Sequence, residues 1–97
     1  MKLYIDDRFQ EINIDEVLPL LSEQRREQVL SYKHEGARKQ CAAAYLLLKR
    51  ALKDVYGISE SPVFDYNEGG KPTLKDHPAI HFNISHCGKA VACVVAD

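Results

Sequence analysis

Between Glu35 and Tyr56 the apolar residues Ala37, Cys41, Ala44, Tyr45, Leu48, Leu52 and Val55 recur at steps of three and four, the spacing that lines one face of an α-helix. No other stretch constrains the fold as tightly. The periodicity predicts one long helix, stopped by Gly57, whose apolar stripe the remaining segments must cover. With 97 residues the chain has room for a single domain over 1–97, because two halves would each be too small to bury a sufficient core. Leu46 and Leu47 fall off the main stripe, so this helix is expected to meet more than one neighbour or to carry an interface.

The flanking segments supply the cover. Residues 2–5 read as a short opening strand, and Asp15 reads as the N-cap of a helix entering Val17, Leu18, Leu20 and Leu21, with Pro19 tolerated only in its first turn. Ser22 and Glu23 open a second helix that runs to about Tyr32. Downstream, residues 59–62 connect to a strand over 63–66, and Asn67, Glu68, Gly69 and Gly70 turn. Residues 80–85 alternate as a strand, Cys87, Gly88 and Lys89 predict a hairpin, and residues 90–96 are apolar on both faces, as a central strand is. Such a strand needs something packed on each side. The order strand, helices, strands predicts an α+β domain, a small antiparallel sheet packed on the long helix.

Charge narrows the functional classes. The net charge is −1, yet residues 24–53 carry eight bases against two acids, whereas residues 1–23 carry two bases against six acids and residues 54–97 three against six. At about 100° per residue, Arg38, Lys39, Lys49, Arg50 and Lys53 share one sector of the long helix. Such a stripe is either a solvated face or an attractor of anions. It has no interleaved aromatics, which counts against nucleic acid. The longest apolar run, residues 41–48, is far short of the ~20 residues that cross a bilayer. The acids at Asp6 and Asp7 interrupt any secretory signal, so no membrane span is expected and the cytoplasm is the expected location. Three cysteines without a Cys-x-x-Cys pair make neither a disulfide framework nor a structural zinc site; Cys41 and Cys93 read as core residues.

Several side chains could carry chemistry. His77, His81, His86 and Cys87 match no common metal-ligand spacing, and Ser85 and His86 lie on opposite faces of a strand with no nucleophile elbow around the serine. Taken as donors, Ser85, His86, the backbone at Cys87 and Gly88 and a nearby lysine suit a phosphate or pyrophosphate. Gly69, Gly70, Lys71 and Pro72 combine backbone freedom with a fixed φ after the lysine, which aims its ammonium. This is not a Walker A loop, since Pro72 follows the lysine and no helix begins there.

Gly70-Lys71-Pro72, followed by Phe82-Asn83-Ile84-Ser85-His86 and an apolar strand, resembles the N-terminal half of Sfp-type 4′-phosphopantetheinyl transferases. Arg25-Arg26-Glu27 and residues 37–49 are similar to that family's helical segment, so the resemblance covers about residues 20–97. It implies one half of a two-domain pseudo-dimer with coenzyme A between the halves, and transfer of the phosphopantetheine arm to a serine of an acyl or peptidyl carrier protein with Mg²⁺ as cofactor. By the same resemblance Lys71, with Gly70 and Pro72, borders the nucleotide, Ser85 and His86 contact coenzyme A phosphates, and Arg38 helps to hold the 3′-phosphate. Cys87 stands where the family often has serine. The family's Mg²⁺ carboxylates, in a Gly-x-Asp-x-Glu segment, and its Lys-Glu-Ala helix do not occur in this chain. The chain alone is therefore expected to be inactive or very weak, with its exposed leucines and terminal strand meeting a second half or another copy. The alternative is a non-catalytic module that binds coenzyme A, or an acidic carrier protein through its basic helix.

Overall fold

The computed structural model describes residues 1–66 and 68–97. Strand β1 (Lys2–Asp6) leads through a 3₁₀ turn (Phe9–Glu11) to helix α1 (Ile14–Val17), a second 3₁₀ turn (Leu18–Leu20), helix α2 (Glu23–Ser31) and helix α3 (Glu35–Tyr56). Strands β2 (Phe64–Tyr66), β3 (Pro72–Leu74), β4 (His81–His86) and β5 (Val91–Ala96) complete the α+β fold. The final strand is central: the main sheet has the order β1-β5-β4, antiparallel throughout, and β2 pairs with β3 in a separate ribbon.

The long helix has the predicted limits. Gly57 closes it at φ 69°, and its N–H donates back to the carbonyls of Leu52 and Lys53, satisfying groups that the helix end would leave unpaired. Of the predicted stripe, Cys41, Ala44, Tyr45, Leu48 and Leu52 are buried, while Val55 in the last turn is exposed. The Tyr45 hydroxyl, fully buried, donates to the Pro62 carbonyl at 2.7 Å. Phe64 stands edge-on to Tyr45, with centroids 6.1 Å apart, and lies 5.5 Å from Phe82, so one aromatic chain joins α3 to β2 and β4.

Four sequence expectations change. Asn13, not Asp15, caps α1: its side chain accepts from the Glu16 N–H at 3.3 Å, and Asp15 sits inside the first turn. That helix then tightens into a 3₁₀ turn at Pro19 instead of running on to Leu21. Strand β3 was not expected, because three residues beginning with proline carry too little alternation to be seen; pairing of Phe64 with Leu74 creates it. Leu47 is buried and Leu46 half-buried: the helix meets more than one neighbour, one of the two alternatives expected, and these leucines are not an exposed face awaiting a second half. Of the predicted turn at 67–70, Asn67 lies outside the described residues.

The basic stripe also has a local explanation. Lys39 Nζ donates to the Gln10 carbonyl at 2.8 Å, Lys49 Nζ to the Leu20 carbonyl at 3.3 Å, and Arg38 Nε to the Tyr32 carbonyl at 2.7 Å. Arg50 lies 3.7 Å from Asp54. Four of the five cations thus hold the preceding segments or a neighbouring acid. Each 3₁₀ turn or helix end offers carbonyls without intrahelical partners, and long cationic side chains reach them.

Directly opposed residues of an antiparallel pair share a face. Val91, Cys93 and Val95 are buried against α3, and Tyr4, Phe82, Ile84 and His86 lie on the same side. The opposite face carries Leu3, Ile5, Ala92, Val94 and Ala96 with His81, Asn83 and Ser85. Leu3 and Ile5 are 57% and 62% exposed. The terminal strand therefore has the cover expected on one face, and no described residue packs over the other.

Candidate functional site

Helix α2, the first half of α3 and strand β4 enclose a cleft of about 460 Å³, with Lys71 and Pro72 at one side. Each wall follows from a simple periodicity. Arg25 and Gln28 on α2 and Tyr32 at its C-cap recur at three and four residues, as do Ala37, Cys41 and Ala44 on α3, with Gln40 beside them, so each set lies along one side of its helix. From the sheet, Phe82, Ile84 and His86 alternate inward. Gly70, at φ 80°, turns the chain into Lys71 and Pro72 at the start of β3; a side chain at that φ would be strained.

Arg25 organises the inner wall. Its Nε and one terminal nitrogen donate to the Cys41 carbonyl at 3.3 and 3.1 Å, and the other terminal nitrogen donates to Gln28 Oε1 at 3.0 Å. The guanidinium also lies 5.9 Å from the centre of the Phe64 ring. A planar cation held on three sides is pre-aimed. Burial pushes the neighbouring Cys41 thiol up, with the Arg25 charge opposing it.

The outer rim is the β4–β5 hairpin. Gln40 Nε2 donates to the Cys87 carbonyl at 2.9 Å, and the Cys87 N–H donates to the Ala90 carbonyl at 2.9 Å. The exposed Cys87 thiol is held below its ordinary range by the backbone N–H groups of Lys89 and Ala90. Arg25, Lys71 and His86 bring cationic or protonatable groups to a lining without a carboxylate. Such a lining suits an anion with several phosphate oxygens.

The cleft collects some of the sequence candidates and separates others. Lys71, Pro72 and His86 line it together, and Gly70 adjoins them. Ser85 lies on the opposite sheet face, because neighbours on a strand alternate. Arg38 does not line the cleft; it donates to the carbonyls of Tyr32 and Leu30 and ties the end of α2 to α3. Sequence reasoning missed Arg25, Gln28, Tyr32 and Gln40 as wall residues. Their helical spacing was visible, but which face would meet β4 was not.

The histidines and cysteines do not converge. His77 Nε2 is 2.8 Å from Glu60, His81 is on the open face and His86 enters the cleft. Among the described residues no group of three or more His, Cys, Asp or Glu side chains could hold a metal ion. A hard divalent cation such as Mg²⁺ takes oxygen ligands, chiefly carboxylates, and this lining offers none. The residues of this cleft do not fit Mg²⁺.

The family described as "4′-phosphopantetheinyl transferase, N-terminal" matches residues 10–97. The chain belongs to this family. A 4′-phosphopantetheinyl transferase of Bacillus subtilis is 28% identical over 94 residues, covering 96% of this chain and 42% of that relative. The 4′-phosphopantetheinyl transferase Sfp of Bacillus subtilis (strain 168) is 27% identical, covering 94% and 41%. Psf-1 of Bacillus pumilus, also named a 4′-phosphopantetheinyl transferase, is 24% identical, covering 96% and 40%. The chain thus spans about 40% of the length of the curated relatives it matches. The match takes in both helical walls of the cleft, the Gly70-Lys71-Pro72 turn and strand β4. No helix is long and apolar enough to cross a membrane among the described residues.

Proposed function

We propose that the cleft holds coenzyme A and that the chain is the coenzyme-holding half of an enzyme that transfers 4′-phosphopantetheine to a serine of an acyl or peptidyl carrier protein. The supporting observation is the convergence of Arg25, Lys71 and His86 on one carboxylate-free cleft, in a chain of the transferase family. Coenzyme A presents a pyrophosphate and a 3′-phosphate. A guanidinium and an ammonium offset such charge, and an imidazole N–H donates a hydrogen bond to it. Pro72, Phe82, Ile84, Ala37 and Ala44 line the same cleft, while Lys71 and His86 stand exposed at its edge.

In this proposal Lys71 and His86 meet phosphate oxygens directly, and Gly70 and Pro72 set the direction of Lys71. Arg38 contributes by fixing Tyr32 at the wall. Ser85, whose side chain faces away, contributes no more than its backbone. Phosphoryl transfer depends on neutralising developing charge. Because the cleft residues do not fit Mg²⁺, transfer is not assigned to this chain alone, which we propose to be inactive or very weak by itself. The open sheet face bearing Leu3, Ile5 and Val94 is the proposed seat of a second α+β half, in keeping with the greater length of the relatives. The cleft is on the α3 side of the sheet, so coenzyme A is proposed to lie within this half instead of between two halves as the resemblance implied. Docking of an acidic carrier protein on the basic helix has less support, since four of the five cations already hold other groups.

Calorimetric titration tests the proposal. Coenzyme A should bind, 3′-dephospho-coenzyme A should bind more weakly, and Lys71→Ala and His86→Ala should each raise Kd about 10-fold or more, the effect of losing a charged hydrogen bond. Absence of binding at millimolar coenzyme A, or a wild-type affinity retained in both variants, would overturn it.

A further inference from the structure

Two adjacent carbonyls at the apex of the β4–β5 hairpin are held by carboxamides from different parts of the chain. Gln40 of α3 donates to the Cys87 carbonyl, and Gln10 Nε2 donates to the Gly88 carbonyl at 3.0 Å across 78 positions of sequence. Gln40 lines the cleft; Gln10 does not. Gln10 nevertheless stands on a firm base. Phe9, beside it in the same 3₁₀ turn, is 3% exposed in the core, and the Gln10 carbonyl accepts from Lys39 Nζ at 2.8 Å. The sequence of contacts runs from α3 through Lys39 to the backbone of Gln10, and from its side chain to the hairpin. His86, two residues before Gly88, stands at the cleft edge where β4 enters this hairpin.

We infer that Gln10 is a positioning residue: it anchors the hairpin apex and thereby sets His86 against the ligand of the cleft. The binding part of this inference rests on the coenzyme A reading above, whereas the anchoring part does not. Where β4 leaves the sheet after the His86–Val91 pair, the hairpin restrains itself through Cys87 N–H to the Ala90 carbonyl and through the Lys89 and Ala90 N–H groups at the Cys87 thiol. Two external donors remove the remaining freedom, and the His86 side chain, one residue from Cys87 and two from Gly88, is ordered before ligand arrives. Ordering before binding lowers the entropy lost on binding.

The test uses the whole chain with Gln10→Ala and Gln10→Glu, the latter keeping the shape but removing the donor. Gln10 is exposed, so both variants should fold. The imidazole signals of His86 are followed by NMR, and amide exchange is followed at Cys87, each without ligand. Coenzyme A affinity is then measured in the wild type, Gln10→Ala, His86→Ala and the double variant. Both Gln10 variants should shift the His86 ring signals and speed exchange at Cys87. Gln10→Ala should raise Kd roughly 2- to 10-fold, the range for one hydrogen bond, and should add nothing in the His86→Ala background, as coupled residues behave. Unchanged ring signals and exchange would overturn the anchoring. Additive losses in the double variant would overturn action through His86. If the wild type does not bind coenzyme A but the ring signals still move, the anchoring stands and the ligand assignment fails.

Discussion

The three cysteines occupy three different electrostatic settings. Cys93, fully buried in the central strand, has its thiol pushed up to about 11 by loss of solvent, and Cys41 is raised by the same cause. Cys87 sits exposed at the hairpin and is shifted the other way. Since the thiolate is the reactive form, alkylation of the native chain should label Cys87 first, with the other two reacting only on unfolding; mass spectrometry of timed quenches would show this. For Cys93 the linkage has a definite sign. The folded state keeps the proton that the unfolded state gives up near 9, so its contribution to stability is complete below pH 9 and is lost as pH rises to about 11. Cys93→Ala should therefore show a shallower alkaline fall in stability than the wild type when urea unfolding is followed from pH 8 to 11.

Among the elements, the long helix was the most legible because its stripe repeats over 22 residues and its stop requires a left-handed residue. Apart from Gly57 itself and its chain neighbours, no heavy atom lies within 4 Å of where its Cβ would sit, so a side chain there meets only backbone strain. Gly57→Ala should cost roughly 1–2 kcal/mol, read as a lower urea midpoint with an unchanged m-value. The α2 cap was also legible, with Ser22 accepting from the Arg25 N–H at 3.2 Å. Shorter elements were not. Asn13 and Asp15 are both competent caps, and only the path of the chain after the first 3₁₀ turn selects between them. Strand β3 exists because β2 is there to pair with it.

Across the whole molecule, one sheet face is covered by α3 and the other exposes Leu3 and Ile5 beside half-buried Val94. Contiguous exposed apolar residues on a small sheet invite association. The chain on its own should self-associate as concentration rises through the micromolar range. Leu3→Thr with Ile5→Thr, which puts strand-favouring β-branched residues at both positions, should abolish this while retaining the fold; sedimentation velocity with circular dichroism checks both. A wild-type chain that stays monomeric at high concentration would count against this face as the seat of a second half.

The amino-acid sequence by itself determined the long helix and its end, the α+β order, the central position of the last strand and the pairing of a Gly-Lys-Pro turn with an Asn-Ile-Ser-His strand. Those features are local: periodicity, turn chemistry and residue type act over a few positions. Tertiary structure decided which of the candidates share a space. It put His86 and Lys71 on one cleft with Arg25, turned Ser85 to the other face and spent Arg38 on the carbonyls of Leu30 and Tyr32. It also joined Gln10 to Gly88. Such contacts depend on register and on which helix face meets the sheet, and both are settled by packing between segments far apart in sequence.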